Sequence, residues 1–113
     1  MINYILTFLL LSTPVLAHDL WINGHRNAAG EWCCGEGDCA VLDPKAVTFT
    51  SKGYIIDGWG TISPSDRPVI REYYHEIVPE FEAMPSPDGA YWRCHRWDKE
   101  RSRRCFFAPP PNG

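Results

Sequence analysis

The strongest indication of the fold is the segment Tyr91–Ala108, YWRCHRWDKERSRRCFFA. Aromatic residues and cysteines flank a charged centre at Lys99-Glu100, a pattern that indicates a β-hairpin. If the turn lies there, two residues face each other when their numbers add up to 199, which places Cys94 opposite Cys105. The hairpin therefore fixes where two of the cysteines lie in a sheet.

The other cysteines cluster in the motif WCCGEGDC at residues 32–39, so the chain has five candidates for disulfide bonds: Cys33, Cys34, Cys39, Cys94 and Cys105. One arrangement bridges Cys94 to Cys105 across the hairpin and closes a short loop between Cys34 and Cys39. The competing arrangement ties the cluster to the C-terminal pair, which closes loops of roughly 55–70 residues and stabilises more in the chain-entropy model. The sequence leaves both open, and an odd number of cysteines leaves one outside the bridges.

The first 17 residues predict export. Met1–Ala17 has an apolar run from Tyr4 to Leu11, then a break at Pro14 and a small-x-small ending, as in a signal peptide. The mature protein would begin at His18 in an oxidising compartment, periplasmic or secreted, where small domains commonly carry disulfides. We expect one cysteine-rich domain over residues 18–108 and a Pro-rich tail over 109–113.

The composition of the mature part favours a small β domain. Of the 113 residues, those from 18 onward hold only 16 Leu, Ile, Val and Phe but all five Trp. Such a chain excludes a multidomain enzyme, a Leu-rich helical bundle, a coiled coil and a polytopic membrane protein. The fold class predicted is mainly β: a disulfide-stapled antiparallel domain of about four to six strands with at most one short helix.

Three strand candidates precede the C-terminal hairpin: Cys39–Leu42, Ala46–Thr50 and Tyr54–Asp57, the last two joined by a turn that contains Gly53. Asp66–Phe81 fits a helical period, with Asp66 as N-cap and Pro79 as stop, and we predict a short helix there. The rival interpretation is a strand across Tyr73–Val78.

The chain resembles a family of small secreted, cysteine-rich proteobacterial proteins in three motifs: WCCGEGDC, SPDG before YWRC, and RCFFAPP near the C-terminus. The resemblance covers most of the mature chain. It implies an exported cysteine-rich domain, and it transfers no catalytic residue and no known function.

Charge is the best sequence clue to a partner. Residues 93–104 hold six Lys/Arg and two acids, although the whole chain carries a net charge of -3. A basic hairpin with nearby tryptophans suits an anionic glycan, a lipid headgroup or an acidic protein. The overall acidity argues against nucleic acid. The predicted partner-binding residues are Arg93, Arg96, Arg101, Arg103, Arg104, Trp92 and Trp97.

Copper binding is the alternative function. After cleavage, the α-amino group and imidazole of His18 would chelate one copper ion, with a second imidazole from His25, His75 or His95. This set resembles the histidine brace of small periplasmic copper carriers and of lytic polysaccharide monooxygenases. The leading interpretation needs no cofactor.

An enzyme has less support. The sequence shows no nucleophile, base and orienting group that converge, and Glu72 and Glu76 are explained by a solvated face. The five tryptophans fit the core of a leucine-poor domain better than a platform for stacking sugar rings. We therefore predict a non-enzymatic binding protein of the cell envelope, with a dimer through the remaining cysteine as one possible assembly.

Overall fold

The computed structural model describes residues 21–34 and 37–110. These residues form a mainly β domain, as predicted, with seven strands rather than four to six. In chain order the strands are β1 Cys39–Leu42, β2 Val47–Thr50, β3 Gly53–Ile62, β4 Ile70–Val78, β5 Ala83–Pro85, β6 Tyr91–His95 and β7 Arg103–Ala108. The predicted signal peptide at 1–17, His18 and most of the 109–113 tail lie outside the described residues.

The sheet is organised around β3, the longest strand. β4 pairs with residues 54–62 of β3 along one edge. On the opposite edge, β2 pairs with residues 53–56 of β3 and β1 pairs with residues 60–62. Beyond β1 come β6, β7 and finally β5, which runs parallel to β7. No helix within the described residues is long and apolar enough to cross a membrane.

Two glycines of β3 allow close approaches that a side chain would block. Gly53, at the predicted turn, has φ +112°, and a Cβ there would lie 2.3 Å from the carbonyl oxygen of Val78. Gly58 passes under the short 3₁₀ turn Pro44–Ala46, and a Cβ on Gly58 would lie 2.6 Å from that of Ala46. The turn between β1 and β2 therefore packs directly on β3.

The sheet curls, so its two faces bury different cores. The inner face carries an apolar cluster that includes Ile56, Tyr74 and Phe106, which come from three different strands. The opposite face of β1, β6 and β7 carries the cysteines with Trp92 and Phe107, and the segment 21–34 covers it. A thin set of aliphatic residues thus suffices, because aromatic rings and sulfur fill the remaining volume.

The predicted helix over Asp66–Phe81 is wrong, and the rival strand is confirmed and extended to Ile70–Val78. Side chains alternate along β4: Glu72, Tyr74, Glu76 and Val78 face inward, and the residues between them face outward. A helix would leave the whole edge of β3 without its backbone hydrogen bonds. Pairing with a long neighbouring strand therefore overrides the helical period.

The disulfides follow the second arrangement. Cys33 bonds to Cys105 and Cys39 bonds to Cys94, with sequence separations of 72 and 55 residues. Each loop is worth about 4 kcal/mol in the chain-entropy model when taken alone. The predicted register is confirmed from Trp92 to Cys94, so Cys94 does face Cys105, but a β-bulge after Cys94 shifts it by one residue and His95 faces Arg103 rather than Arg104. Cys94 also faces Cys39 on β1 and can bond only one of them, which leaves Cys105 for the covering segment.

Candidate functional site

Three of the five predicted arginines meet glutamates of β4: Arg93 and Arg101, and also Arg103, whose Nη1 lies 3.3 Å from Glu76 Oε2. Arg93 Nε donates to Glu76 at 2.7 Å, and the side chain of Arg93 is only 6% exposed. Its guanidinium carbon also lies 4.6 Å from the centroid of the Tyr74 ring. Arg101 lies 2.8 Å from Glu72, nearer the hairpin tip. These pairs connect the hairpin to β4 across the curled sheet.

The environment of Glu76 keeps its carboxylate charged. Burial acts to raise the pKa of Glu76, but the hydrogen bonds and charge of Arg93, together with Arg103, hold that pKa below its ordinary value. The charged Glu76 therefore stabilises the folded protein at any pH above the ordinary pKa of a glutamate side chain. This stabilisation is lost as the pH falls through the lowered pKa of Glu76.

One groove is lined by three of the five predicted arginines, Arg96, Arg103 and Arg104. The groove has a volume of about 580 Å³, and Arg26 and Glu82 are the remaining charged residues in its lining. We call it the arginine groove. Apolar side chains lie beside the guanidiniums, among them Phe81, which is 87% exposed. The structure thus brings together three of the five arginines that the sequence predicts to bind a partner.

Arg96 forms an ion pair with Glu31. Its Nε and Nη2 atoms donate to the two carboxylate oxygens of Glu31 at 3.0 and 2.7 Å, a bidentate pair. The hydrogen bonds from Arg96 and then from Asn27 lower the pKa of Glu31 to about 2. Glu31 therefore anchors Arg96 as a carboxylate throughout the physiological pH range.

Arg103 and Arg104 are fixed by further acids. Arg103 Nη2 donates to Glu82 at 2.8 Å. Arg104 donates to the buried carboxylate of Asp38 and, at 2.7 Å, to the carbonyl oxygen of Cys33, next to a disulfide. The positive charge of residues 93–104 is thus matched by acids from other parts of the chain, a pairing that the linear sequence does not reveal.

Arg26 differs from the other arginines of the groove. It is exposed, and its guanidinium carbon lies 3.9 Å from the centroid of the Trp32 ring. No carboxylate within the described residues forms an ion pair with Arg26, so its hydrogen-bonding groups can serve a ligand. Sequence reasoning missed Arg26 because it lies 67 residues before Arg93, in the segment that covers the disulfide face.

The two predicted tryptophans have different environments. Trp92 is 6% exposed, and its Nε1 donates to Asp88 at 3.0 Å, so it fixes the turn before β6. Trp97 is 57% exposed and packs edge-on against His95, with ring centroids 4.8 Å apart. Of the two, only Trp97 presents its ring to solvent.

The candidate copper ligands in the described chain have separate environments. His25 Nδ1 lies 2.8 Å from the carbonyl oxygen of Trp21, and His75 is exposed on β4 beside Asp57. His95 is buried, and burial followed by the charge of Arg101 lowers its pKa. Because His18 lies outside the described residues, copper binding stays a prediction, tested by whether an extra residue before His18 abolishes copper uptake.

One cluster in the described residues has three potential metal ligands within 4.8 Å of one another: Cys34, Asp38 and Cys39. The sulfur of Cys39 is bonded to Cys94 and offers no thiolate. Cys34 belongs to neither disulfide and is only 7% exposed. A dimer through Cys34 remains a prediction, and it would require this buried sulfur to become accessible.

No protein family, curated protein or solved structure matches this chain. The arginine groove is therefore the main basis for a functional proposal.

Proposed function

We propose that this protein is a non-enzymatic binding protein of the cell envelope and that it takes an anionic partner in the arginine groove. The observation that carries the proposal is the lining of the groove, which has four arginines and one glutamate. The predicted signal peptide supports an envelope location. Two disulfides that close long loops add support, because such bridges persist in oxidising compartments.

The geometry suits carboxylate or phosphate groups. Guanidinium groups bind these anions through paired hydrogen bonds, and the binding is stronger when the side chains are ordered beforehand. Glu31, Glu82 and Asp38 order Arg96, Arg103 and Arg104, while Arg26 has no such partner among the described residues. Arg26 therefore has the greatest capacity to bind a ligand directly.

The groove also favours binding over catalysis. Among the residues that the structure describes, Glu82 is the one carboxylic acid of the lining, and it is already bound to Arg103. Cys105 lines the groove with a sulfur that is committed to a disulfide. The lining therefore offers neither an acid-base pair nor a thiolate nucleophile.

The proposal is tested by titrating the purified mature protein, at low and at physiological salt, with three anionic probes. An oligogalacturonate represents acidic glycans, phosphatidylglycerol vesicles represent lipid headgroups, and a polyglutamate peptide represents acidic proteins. We expect one of them to bind in a salt-sensitive manner. The variant Arg26→Glu should weaken that binding by about tenfold or more, as expected for a lost charged hydrogen bond.

Lys52→Glu is the matched control, because it makes the same charge change in the exposed β2–β3 turn, away from the groove lining. Equal weakening by both variants would show that net charge alone attracts the probe, and the groove would then not be the site. Lack of binding by all three probes would refute an anionic partner.

A further inference from the structure

The outer face of the β3–β4 pair carries a second set of side chains that the arginine groove does not use. Trp59 on β3 faces Tyr73 on β4, and the next outward pair along the strands is Asp57 with His75. On the other side of Trp59 and Tyr73, Arg71 completes the group. We call these five residues the Trp59–Tyr73 platform.

The two aromatic rings of the platform are large and solvent-exposed, so the prediction that the tryptophans belong to the core is wrong for Trp59. Trp59 is 46% exposed and Tyr73 is 53% exposed, and the rings meet edge-to-face with centroids 5.3 Å apart. The opposite side of the same strands packs into the inner core, and the segment 21–34 packs on the cysteine face instead. Within the described chain, the platform is thus an uncovered aromatic surface on a rigid sheet.

Hydrogen bonds fix one end of the platform before any ligand arrives. The hydroxyl group of Tyr73 donates to Asp57 Oδ1, and His75 Nδ1 lies 3.4 Å from the same oxygen. The hydroxyl contact restrains the Tyr73 ring, and the longer contact of the exposed His75 places a second polar group beside it. Both contacts use Oδ1, which leaves Oδ2 of the exposed Asp57 side chain as an acceptor.

The other end of the platform is fixed by Arg71. Arg71 donates to both carboxylate oxygens of Asp43, at 3.2 and 3.1 Å, and to Thr61 Oγ1 at 2.8 Å. Its guanidinium carbon lies 5.7 Å from the centroid of the Trp59 ring. A ligand would therefore meet two rings in contact with each other, with hydrogen-bonded polar groups at both ends.

This combination matches the surface of a sugar ring. A pyranose presents C–H groups on its faces and hydroxyl groups around its rim. The C–H groups are attracted to the negative π-face of an aromatic ring, while the hydroxyl groups need donors and acceptors beside that ring. From Arg71 to His75 the strand advances about 14 Å at about 3.4 Å per residue, long enough for more than one sugar unit.

The charges of the platform select against acidic sugars. Arg71 is neutralised by Asp43, and Asp57 adds a negative charge whose partners among the described residues are His75 and the phenol of Tyr73. The platform therefore carries no excess of positive charge, in contrast to the lining of the arginine groove. We propose that the Trp59–Tyr73 platform binds an uncharged oligosaccharide segment, independently of the anionic partner.

The test is a titration of the purified protein with three neutral hexasaccharides: cellohexaose, maltohexaose and chitohexaose. Calorimetry measures the affinity, and saturation-transfer NMR identifies the sugar protons that touch the protein. We expect at least one hexasaccharide to bind. The variants Trp59→Ala and Tyr73→Ala should each weaken that binding by about tenfold, the loss of one aromatic contact.

Three variants make the test specific. Tyr73→Phe keeps the ring and should retain most of the affinity. Phe49→Ala removes a ring that is 44% exposed on β2 of the same sheet and should leave the affinity unchanged. Arg26→Glu should also leave it unchanged, which separates the platform from the arginine groove. Near-ultraviolet circular dichroism and thermal unfolding confirm that each variant is folded.

Several results would overturn the proposal. One is the absence of binding to all three hexasaccharides at millimolar concentration. Others are binding that survives Trp59→Ala and Tyr73→Ala, and equal binding of an oligogalacturonate at the platform. Sedimentation provides a further check: a wild-type dimer that Trp59→Ala converts to a monomer would make the platform an interface between two copies of the chain.

Discussion

The pair of Arg93 and Glu76 gives the sharpest prediction about stability. Replacing Arg93 by Met keeps an unbranched side chain of similar length in a position that is 6% exposed, and removes the charge that faces Glu76. Breaking a fully buried ion pair costs roughly 3–5 kcal/mol. Glu76 is 23% exposed and keeps Arg103 at 3.3 Å, so we expect a smaller loss, about 2 kcal/mol.

The pH dependence of this loss distinguishes an unpaired charge from a simple packing defect. Arg93 is the main group that lowers the pKa of Glu76, and burial opposes it. In Arg93→Met the pKa of Glu76 should rise, because burial is then opposed mainly by Arg103. The variant should therefore lose most stability at neutral pH and less at acidic pH, where protonation of Glu76 removes the uncompensated charge.

Urea unfolding of the oxidised protein at pH 7 and pH 4 measures both losses. Arg71→Met is the control, because it breaks an ion pair whose two side chains are about half exposed and should change stability far less. A loss in Arg93→Met that is equal at both pH values, or no larger than the loss in Arg71→Met, would show that Arg93 does not compensate a buried charge on Glu76.

Three further predictions concern other parts of the fold. Gly58→Ala should lower the free energy of unfolding by about 2 kcal/mol, because the added methyl group would overpack against Ala46. Gly24→Ala, where the added methyl group would meet no atom closer than 3.8 Å, should have little such effect. Urea unfolding compares the two variants. Carboxyl NMR should find the pKa of Glu31 at about 2, and Arg96→Gln should raise it; an unchanged value would contradict the bidentate pair. Mass mapping of the oxidised protein should find two bridges that connect the 33–39 cluster to β6 and β7, and a bridge between β6 and β7 would contradict the fold.

Local patterns predict the hairpin and the range of possible bridges. The turn at Lys99-Glu100 specifies the register of Cys94 and Cys105, and the structure has that register. The choice of bridge depends on β1, which places Cys39 on the other side of Cys94. Because nothing local to the hairpin specifies this neighbour, the sequence leaves two arrangements.

The error at β4 has the same origin. The residues Ile70, Tyr73 and Ile77 fit a helical period, but all three are exposed in the strand. The inward residues include Glu72 and Glu76, whose polarity hides the alternation that a strand normally shows. Their arginine partners come from the hairpin, far along the chain, so the sequence gives no local sign that these acids face inward.

The candidate site shows both the strength and the limit of charge patterning. Clustered arginines at residues 93–104 lead to the prediction of a partner-binding hairpin, and three of them line one groove. The carboxylates that pair with these arginines come from distant segments, so the folded protein has less positive charge near the hairpin than residues 93–104 indicate by themselves. The exposed Arg26 also comes from a distant segment. Only the tertiary arrangement separates arginines that hold the fold from those that can meet a ligand.

The most direct test of the arginine groove is a two-dimensional NMR titration of the ¹⁵N-labelled mature protein with the oligogalacturonate, the polyglutamate peptide and a soluble short-chain phosphatidylglycerol. We expect one of these probes to shift the side-chain Nε–H signals of Arg26 and Arg96 and the backbone signals near Phe81, and we expect added salt to reverse the shifts. Shifts confined to the β2–β3 turn, or spread evenly over the surface, would contradict a specific anion site in the groove.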